Sequence, residues 1–168
     1  MLLNVLLIAV LCVATVAAGS ENHVVVKKWE IAACDGSYKG IPASVPGFIN
    51  TDLMSAGIIS SDPYFRYHEL NMSWVAKTCW EYTAADIDMS AFSDTKDDVP
   101  VLLNLENVDT IATVFFNGVQ IGSCENSFRP HSFVVPVGLI TAHNSLRVRM
   151  PPSLAASLAK ASQYPYAV

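Results

Sequence analysis

Two glutamates lie beside aromatic side chains and are the residues best placed to do chemistry. Glu81 stands between Trp80 and Tyr82, and Glu69 follows an aromatic run that begins at Tyr64. Because sugar rings stack on aromatic side chains while carboxyl groups transfer protons, this combination is a weak indication of carbohydrate chemistry. Strand alternation also fits a Glu81 carboxylate on a solvated face, and this is the interpretation that we favour.

Other catalytic patterns are missing from the sequence. There is no nucleophile elbow, no phosphate-binding loop and no HExxH motif. The histidines are scattered along the chain, at His23, His68, His131 and His143. We therefore expect no metal site and no cofactor. The net charge of −5 comes without a basic patch, which argues against a nucleic-acid partner.

The N-terminus has the composition of a secretory leader. Residues 2–18 carry no charge, and small residues at Val16-Ala17-Ala18 precede Gly19. This pattern predicts a signal peptide over residues 1–18, with a membrane anchor as the alternative. The sequon Asn71-Met72-Ser73 agrees with the secretory route and predicts a glycan on Asn71.

Three cysteines remain after such a leader is removed: Cys34, Cys79 and Cys124. Since the number is odd, one disulfide can form and one thiol must be left over, and the sequence leaves the pairing open. No C-x-x-C spacing occurs, so a zinc site is not expected. A cysteine beside a predicted strand can also be a buried free thiol that packs as a small hydrophobe.

The most predictable element is a β-hairpin around Asn117-Gly118. Apolar runs flank these two residues, and both residue types tolerate the positive φ that a type I′ turn requires. A two-residue turn here pairs Phe116 with Val119 and Val114 with Ile121.

The two faces of this hairpin differ less in polarity than is usual for a strand with one buried and one solvated face. Side chains predicted for the core are Ala112, Val114, Phe116, Val119 and Ile121. The opposite face carries Ile111, Thr113 and Phe115, so we expect another layer to cover it. Asp109 precedes the hairpin, and we expect its side chain to accept a hydrogen bond from the backbone of Ile111.

The remaining pattern predicts an all-β fold. Further strand signals occur over residues 24–31, 78–84, 101–105, 133–137 and 146–150, and short helices are predicted over 50–57 and 154–162. Residues 86–100 are polar and acidic and predict a surface loop. About seven short strands with polar turns are typical of a β-sandwich, with one or two short helices as additions.

Two segments carry a resemblance to a known family. They read VPGFINTDLMSAGIISSDPY at 45–64 and VDTIATVFFNGVQIG at 108–122, with Asn126, Phe128 and Phe133 behind the second. The second segment resembles the sandwich domains of glycoside hydrolase family 2. The first narrows the resemblance to the N-terminal domain of the β-mannosidases, above all the animal lysosomal type. The resemblance extends from about residue 24 to the end.

This resemblance implies a jelly-roll, galactose-binding-like sandwich over residues 19–168, truncated before immunoglobulin-like domains and a (β/α)₈ barrel. The parent enzyme would remove terminal non-reducing β-D-mannose from N-glycan-derived oligosaccharides with retention, using two barrel glutamates. The barrel is the partner expected in cis, and the lysosome or the extracellular space is the expected location. We expect this chain alone to be inactive and, after leader removal, to have no membrane span.

The same resemblance implies site residues. Arg66, His68, Glu69 and Trp74 are expected at the rim of the substrate pocket, and an ion pair between Arg66 and Glu69 is possible. Asp109, Asn117 and Gly118 are expected to be structural. The alternative function is a stand-alone, secreted, lectin-like module that binds glycans through Trp74, Tyr64 and Tyr67. A third interpretation is a poorly folding, truncated isoform.

Overall fold

The computed structural model of the chain describes residues 7–9, 13–16, 24–59, 62, 65–92 and 101–166. These residues form mainly strands, and the all-β prediction is confirmed, although the strands are more numerous than predicted. The strands are β1 (Leu7–Ala9), β2 (Val13–Val16), β3 (Trp29–Ala33), β4 (Ile41–Ala43), β5 (Gly47–Phe48), β6 (Trp80–Ile87), β7 (Val101–Leu105), β8 (Asn107–Val108), β9 (Ala112–Phe116), β10 (Val119–Cys124), β11 (His131–Val135) and β12 (Asn144–Met150). The α-helices are α1 (Ile49–Ser55), α2 (His68–Asn71) and α3 (Ser153–Ala161), and 3₁₀ turns lie at Val75–Lys77, Ser90–Phe92 and Val137–Leu139.

One large antiparallel sheet organises the described residues. Its strand order is β10-β9-β12-β6-β3-β4, and two three-stranded sheets have the orders β11-β7-β2 and β5-β1-β8. Alternating side chains of β3, β6, β7, β9 and β12 meet in one apolar core, in agreement with the period-two pattern. Side chains with almost no exposed surface include Ile31, Trp80, Tyr82, Val101, Leu105, Val108, Val114 and Leu146. The core therefore lies between the six-stranded sheet and the strands β7 and β8.

The predicted hairpin turn is present. Asn117 and Gly118 have φ values of 47° and 81°, and Phe116 pairs with Val119. These left-handed conformations are those of a two-residue turn whose twist matches the flanking strands. The turn prediction is therefore confirmed.

The predicted register beyond the turn is wrong. A bulge between Gln120 and Gly122 places Gly122, rather than Ile121, opposite Val114. One extra residue in a strand reverses the direction of every side chain after it. Ile121 is accordingly only half-buried. Val119 lies before the bulge and pairs with Phe116 as predicted, but it is exposed, so its assignment to the core is also wrong.

The Asn117 side chain ties this turn to the start of β12. Its Nδ2 donates to the Leu139 carbonyl at 2.7 Å and to Asn144 Oδ1 at 3.0 Å, and its Oδ1 accepts from the Ser145 N–H at 2.7 Å. Asn117 therefore supplies both the backbone conformation of the turn and a set of tertiary hydrogen bonds.

Arginine side chains cover the second apolar face of the hairpin. Arg147 and Arg149 lie over the Phe115 ring, with guanidinium carbons 4.5 and 5.9 Å from its centroid. Arg149 Nε also reaches Glu81 at 2.6 Å, and Arg147 Nη1 lies 3.7 Å from the same carboxylate oxygen. Long basic side chains can shield apolar surface while their charged ends stay hydrated. The neighbouring strand β12 of the same sheet, and not another layer, thus supplies the cover over Phe115.

A disulfide joins the ends of two paired strands. Cys34 follows β3 and Cys79 precedes β6, with the two Cα atoms 5.4 Å apart. The third thiol, Cys124, is free and buried, and burial raises its pKa to about 11. Because the thiolate is the reactive form, Cys124 is an inert packing group near neutral pH.

Two strands fall inside the predicted leader. β1 pairs with β5 and β8, while β2 pairs with β7. Cleavage after residue 18 stays a prediction, and its consequence would be the loss of both strands. Among the described residues, no helix is both long and apolar enough to cross a membrane. Most of the predicted acidic loop, residues 93–100, lies outside the described residues.

Helix α1 ends as predicted but buries an acidic side chain. Gly57, at φ 70°, follows the helix as a left-handed C-terminal residue. Asp52, in this helix, is 4% exposed and accepts a hydrogen bond from the Ser44 N–H at 3.0 Å. Its Oδ2 and the nearby Tyr82 hydroxyl have no partner within the described part. Burial raises the pKa of Asp52, although the Ser44 N–H opposes that shift.

Asp52→Asn should therefore reduce the pH dependence of stability. Since the native pKa is raised, the folded state binds the proton more tightly, and stability should rise as pH falls through the native pKa towards about 3.8. The asparagine variant keeps an acceptor for Ser44 and carries no charge. We expect it to be at least as stable as wild type at pH 7 and to lose that advantage in acid. Urea denaturation at several pH values measures this, and an equal loss of stability at every pH would contradict it.

Candidate functional site

The segment around α2 carries the predicted rim residues. His68 begins this helix, and its Nδ1 lies 2.7 Å from the Asp62 carbonyl oxygen. Because a carbonyl can only accept, Nδ1 is the donor, and the neutral ring presents Nε2 as an acceptor. The Phe65 ring packs edge-on against the imidazole at 5.4 Å. These two contacts hold the His68 ring in one orientation.

His68 and Trp74 line a common groove of about 250 Å³. Its other lining residues are Ile58, Ile59, Asn71 and Met72. The Trp74 ring stacks on Tyr38 at 5.3 Å between centroids, so one of its faces is already covered. The groove thus combines an aromatic ring, a polar imidazole and aliphatic walls, which is the composition of a site for a small amphipathic ligand.

Arg66 and Glu69, the other two predicted rim residues, do not line this groove. Arg66 has a φ of 53° and its guanidinium lies 5.3 Å from the centroid of the Phe65 ring. No ion pair joins Arg66 and Glu69 in the part of the chain that the structure describes, so that predicted pair is not formed. The structure brings two of the four residues together. Tyr64, named for glycan binding, lies outside the described residues.

The aromatic side chains divide into core and surface groups. Trp80 is 2% exposed and donates its indole N–H to the Val75 carbonyl at 2.9 Å, so it is a core residue. Trp74 is half-buried and sits beside it at 6.0 Å between centroids. The sequence did not point to Tyr38, because its contact with Trp74 joins loops that are far apart in the chain.

Neither sequence-predicted carboxylate forms part of a catalytic pair. Glu81 is held by Arg147 and Arg149, as expected for the outer face of a strand. Glu69 lies on α2 outside the groove, and the described lining contains no carboxyl group. This arrangement can bind a sugar ring, but it supplies neither the acid nor the nucleophile that glycoside hydrolysis needs.

Asp109 makes a different contact from the one predicted. Its carboxylate accepts a hydrogen bond from the hydroxyl of the neighbouring Thr110, and no bond from the Ile111 N–H to it is found among the described residues. The carboxylate still bonds locally within the turn before β9, which agrees with a structural role.

A group of apolar side chains beside the groove is exposed. Phe65, Tyr67 and Leu70 all present more than half of their surface, with Tyr67 73% exposed. Phe128, in the loop between β10 and β11, is 98% exposed. Large exposed apolar groups often mark a surface that another protein segment covers.

Comparison with known proteins places the chain in a family. The model of the glycosyl hydrolase 2 galactose-binding domain-like family matches residues 29–168. A β-mannosidase of Bos taurus is 35% identical over 152 residues, and one of Rattus norvegicus is 32% identical over 148 residues. These alignments cover 89% and 88% of this chain but 16% of each relative.

A solved structure agrees with the sequence matches. The crystal structure of a β-D-mannosidase from Dictyoglomus thermophilum superposes with a TM-score of 0.73 at 29% identity. The superposition covers 91% of this chain and 17% of that one. The chain thus spans about one sixth of the length of these similar proteins. It belongs to the glycosyl hydrolase 2 galactose-binding domain-like family.

Proposed function

We propose that this chain is the N-terminal accessory domain of a retaining, exo-acting β-mannosidase, and that the whole enzyme removes terminal β-D-mannose from oligosaccharides derived from N-glycans. The observation that carries the proposal is the similarity to β-mannosidases over nearly the whole chain, matched to a small part of each of them. In this proposal the two catalytic glutamates belong to a barrel encoded downstream.

The task of the domain would be to form one wall of the substrate pocket. His68 and Trp74 already face one groove, and Arg66 and Glu69 lie on the same short segment. The exposed side chains of Phe65, Tyr67 and Leu70 support a neighbour in cis, since burying them would stabilise the assembly by about 25 cal/mol per Å² of apolar surface.

The transcript tests this proposal most directly. Reading it past the codon for Val168 should reveal coding sequence for immunoglobulin-like domains and a barrel. A stop codon in that position, reproduced in independent transcripts, would contradict the proposal. Tagged full-length protein should co-localise with lysosomal markers or appear in the medium, since we propose the secretory route.

The chain alone should not hydrolyse β-mannosides. A purified, secreted sample incubated with a chromogenic β-mannoside should release no more chromophore than buffer, because this domain would lack both catalytic carboxylates. The matched control is a sample in which Glu81 is replaced by Gln, which should give the same background. Turnover that is above background and lost in the control would overturn the assignment of catalysis to a barrel.

A stand-alone, lectin-like module is the second candidate, and the groove beside Trp74 is the observation that favours it. Calorimetric titration with methyl β-mannoside should detect binding that Trp74→Ala abolishes. If no heat is released at millimolar sugar, the lectin-like function is excluded.

A further inference from the structure

We propose that the first N-acetylglucosamine of an N-linked glycan on Asn71 occupies the groove beside Trp74, and that glycosylation of this sequon thereby controls access to the groove. The inference rests on the proposed passage through the secretory pathway. It goes beyond the proposed function because it places a covalently attached sugar in the groove that the proposed function assigns to the wall of the substrate pocket.

The sequon is placed where a glycan can be attached and can reach the groove. Asn71 is the last residue of α2, and both Asn71 and Ser73 are exposed. Asn71 itself lines the groove, whereas Met72 between the two sequon residues is buried in its wall. Since the first sugar is bonded to the asparagine side-chain nitrogen, its ring lies next to this residue and within reach of the groove.

The chemistry of the groove matches an N-acetylated pyranose. Trp74 lines the groove and is only half-buried, and stacking on Tyr38 holds its ring in place, so its exposed part can contact the apolar face of the sugar. His68 Nε2 is an acceptor for the acetamido N–H, since Nδ1 is engaged by the Asp62 carbonyl. Ile58 and Ile59 offer an aliphatic wall to the acetamido methyl group.

The size of the groove favours one ring. Its volume of about 250 Å³ lies below the roughly 300–1,000 Å³ of pockets that hold drug-sized ligands. One sugar can therefore fill it, and the rest of the glycan would extend into solvent. The same groove could then not admit a free mannoside while the glycan is present.

The fluorescence of the chain offers a specific readout. Trp29 and Trp80 are 4% and 2% exposed, whereas Trp74 is half-buried and lines the groove. Quenching of tryptophan emission by acrylamide should therefore report mainly on Trp74. A Trp74→Phe variant checks this assignment, because it should leave only weakly quenched emission.

The decisive experiment compares three glycoforms of one folded sample. The chain is secreted from cells that make only high-mannose glycans, and mass spectrometry measures occupancy of Asn71. One portion is left intact, and one is treated with endoglycosidase H, which leaves a single N-acetylglucosamine. The third is treated with peptide N-glycosidase F, which hydrolyses the side-chain amide, removes the whole glycan and converts Asn71 to aspartate. Because all three come from one preparation, a folding defect of a variant cannot imitate the result.

We expect Asn71 to be occupied and Trp74 to be equally shielded in the intact and endoglycosidase-treated samples. Removal of the last sugar should raise the quenching constant about twofold, since a seated ligand covers most of the surface that lines its pocket. An unoccupied sequon would overturn the inference, as would strong quenching in the sample that retains one sugar. Ser73→Ala, which abolishes the sequon and keeps Asn71, should reproduce the fully deglycosylated result.

Methyl β-mannoside separates this inference from the proposed function. If glycosylation controls access, the sugar should protect Trp74 from quenching only after the glycan is removed, and protection of the intact glycoform would overturn the inference. The transcript experiment decides the enzyme assignment independently, since none of these readouts depends on β-mannosidase activity.

Discussion

Replacing both Cys34 and Cys79 with alanine should lower the free energy of unfolding by about 4 kcal/mol. The disulfide closes a loop of 45 residues, and the chain-entropy model assigns roughly this stabilisation to a loop of that size. The bond also joins β3 to β6 beside the Ala33–Trp80 pair, next to the packed rings of Tyr38, Trp74 and Trp80. Its loss should therefore loosen the support of Trp74 as well as the sheet.

Thermal denaturation provides the measurement. A loss of about 4 kcal/mol should lower Tm by roughly 8–16 °C for a chain of this size. Wild type reduced with dithiothreitol should match the double variant, which tests the bond without any change of side chain. Cys124→Ala is the control and should cost about 1 kcal/mol for its small cavity. An unchanged Tm after full reduction would contradict the prediction.

Gly122→Ala should cost about 1–3 kcal/mol of stability, because its Cβ would overlap the Phe133 ring. Gly122 lies in β10 at the bulge, and Phe133 belongs to β11 in a different sheet. The Phe133 ring also lies parallel to His131, with 6.3 Å between centroids. Because Gly122 has no side chain, the Phe133 ring can pack directly against β10, where the two sheets meet.

A double-mutant cycle tests this contact. If the collision is the cause, Gly122→Ala should cost less than about 0.5 kcal/mol once Phe133 is replaced by alanine, since the two positions then cease to interact. Gly138→Ala is the matched control, because no atom lies within 4 Å of the added carbon and its φ is not in the left-handed region. Equal costs of Gly122→Ala in both backgrounds, measured by urea denaturation, would refute a steric origin.

Local residue preferences predicted the strands and the hairpin turn but not the register in which β9 and β10 pair. The turn at Asn117-Gly118 was predictable, since both residues tolerate positive φ on their own. The bulge at Gln120 was not, because it depends on which residue of β10 can approach Phe133 and β9. That single difference moved Ile121 from its predicted place opposite Val114.

Contacts between side chains that are far apart in the chain could likewise not be predicted from the sequence. The sequence left three cysteines and no basis for choosing a pair, whereas pairing of β3 with β6 placed Cys34 beside Cys79. The cover over Phe115 also required knowing that β12 lies next to β9, which brings Arg147 onto the ring.

In the candidate site, too, individual residues could be predicted but their arrangement could not. The family resemblance singled out His68 and Trp74, and the sequon identified Asn71. Their arrangement around one groove, with Tyr38 behind Trp74, could not be derived, because it depends on how separate loops pack. The predicted Arg66–Glu69 pair is absent for a local reason: the backbone at Arg66 is left-handed and its guanidinium lies over the neighbouring Phe65 ring.

By itself the sequence determined the all-β class, the hairpin turn, the inward face of β6 and the family to which the chain belongs. The first three depend on the conformational preferences of single residues or on a period of two, which act over a few positions. The family follows instead from the motifs at residues 45–64 and 108–122. The tertiary structure alone decided the bulge, the disulfide partner, the cover of Phe115 and the groove at Asn71. These depend on contacts between residues far apart in the chain, and only the packed sheets define those distances.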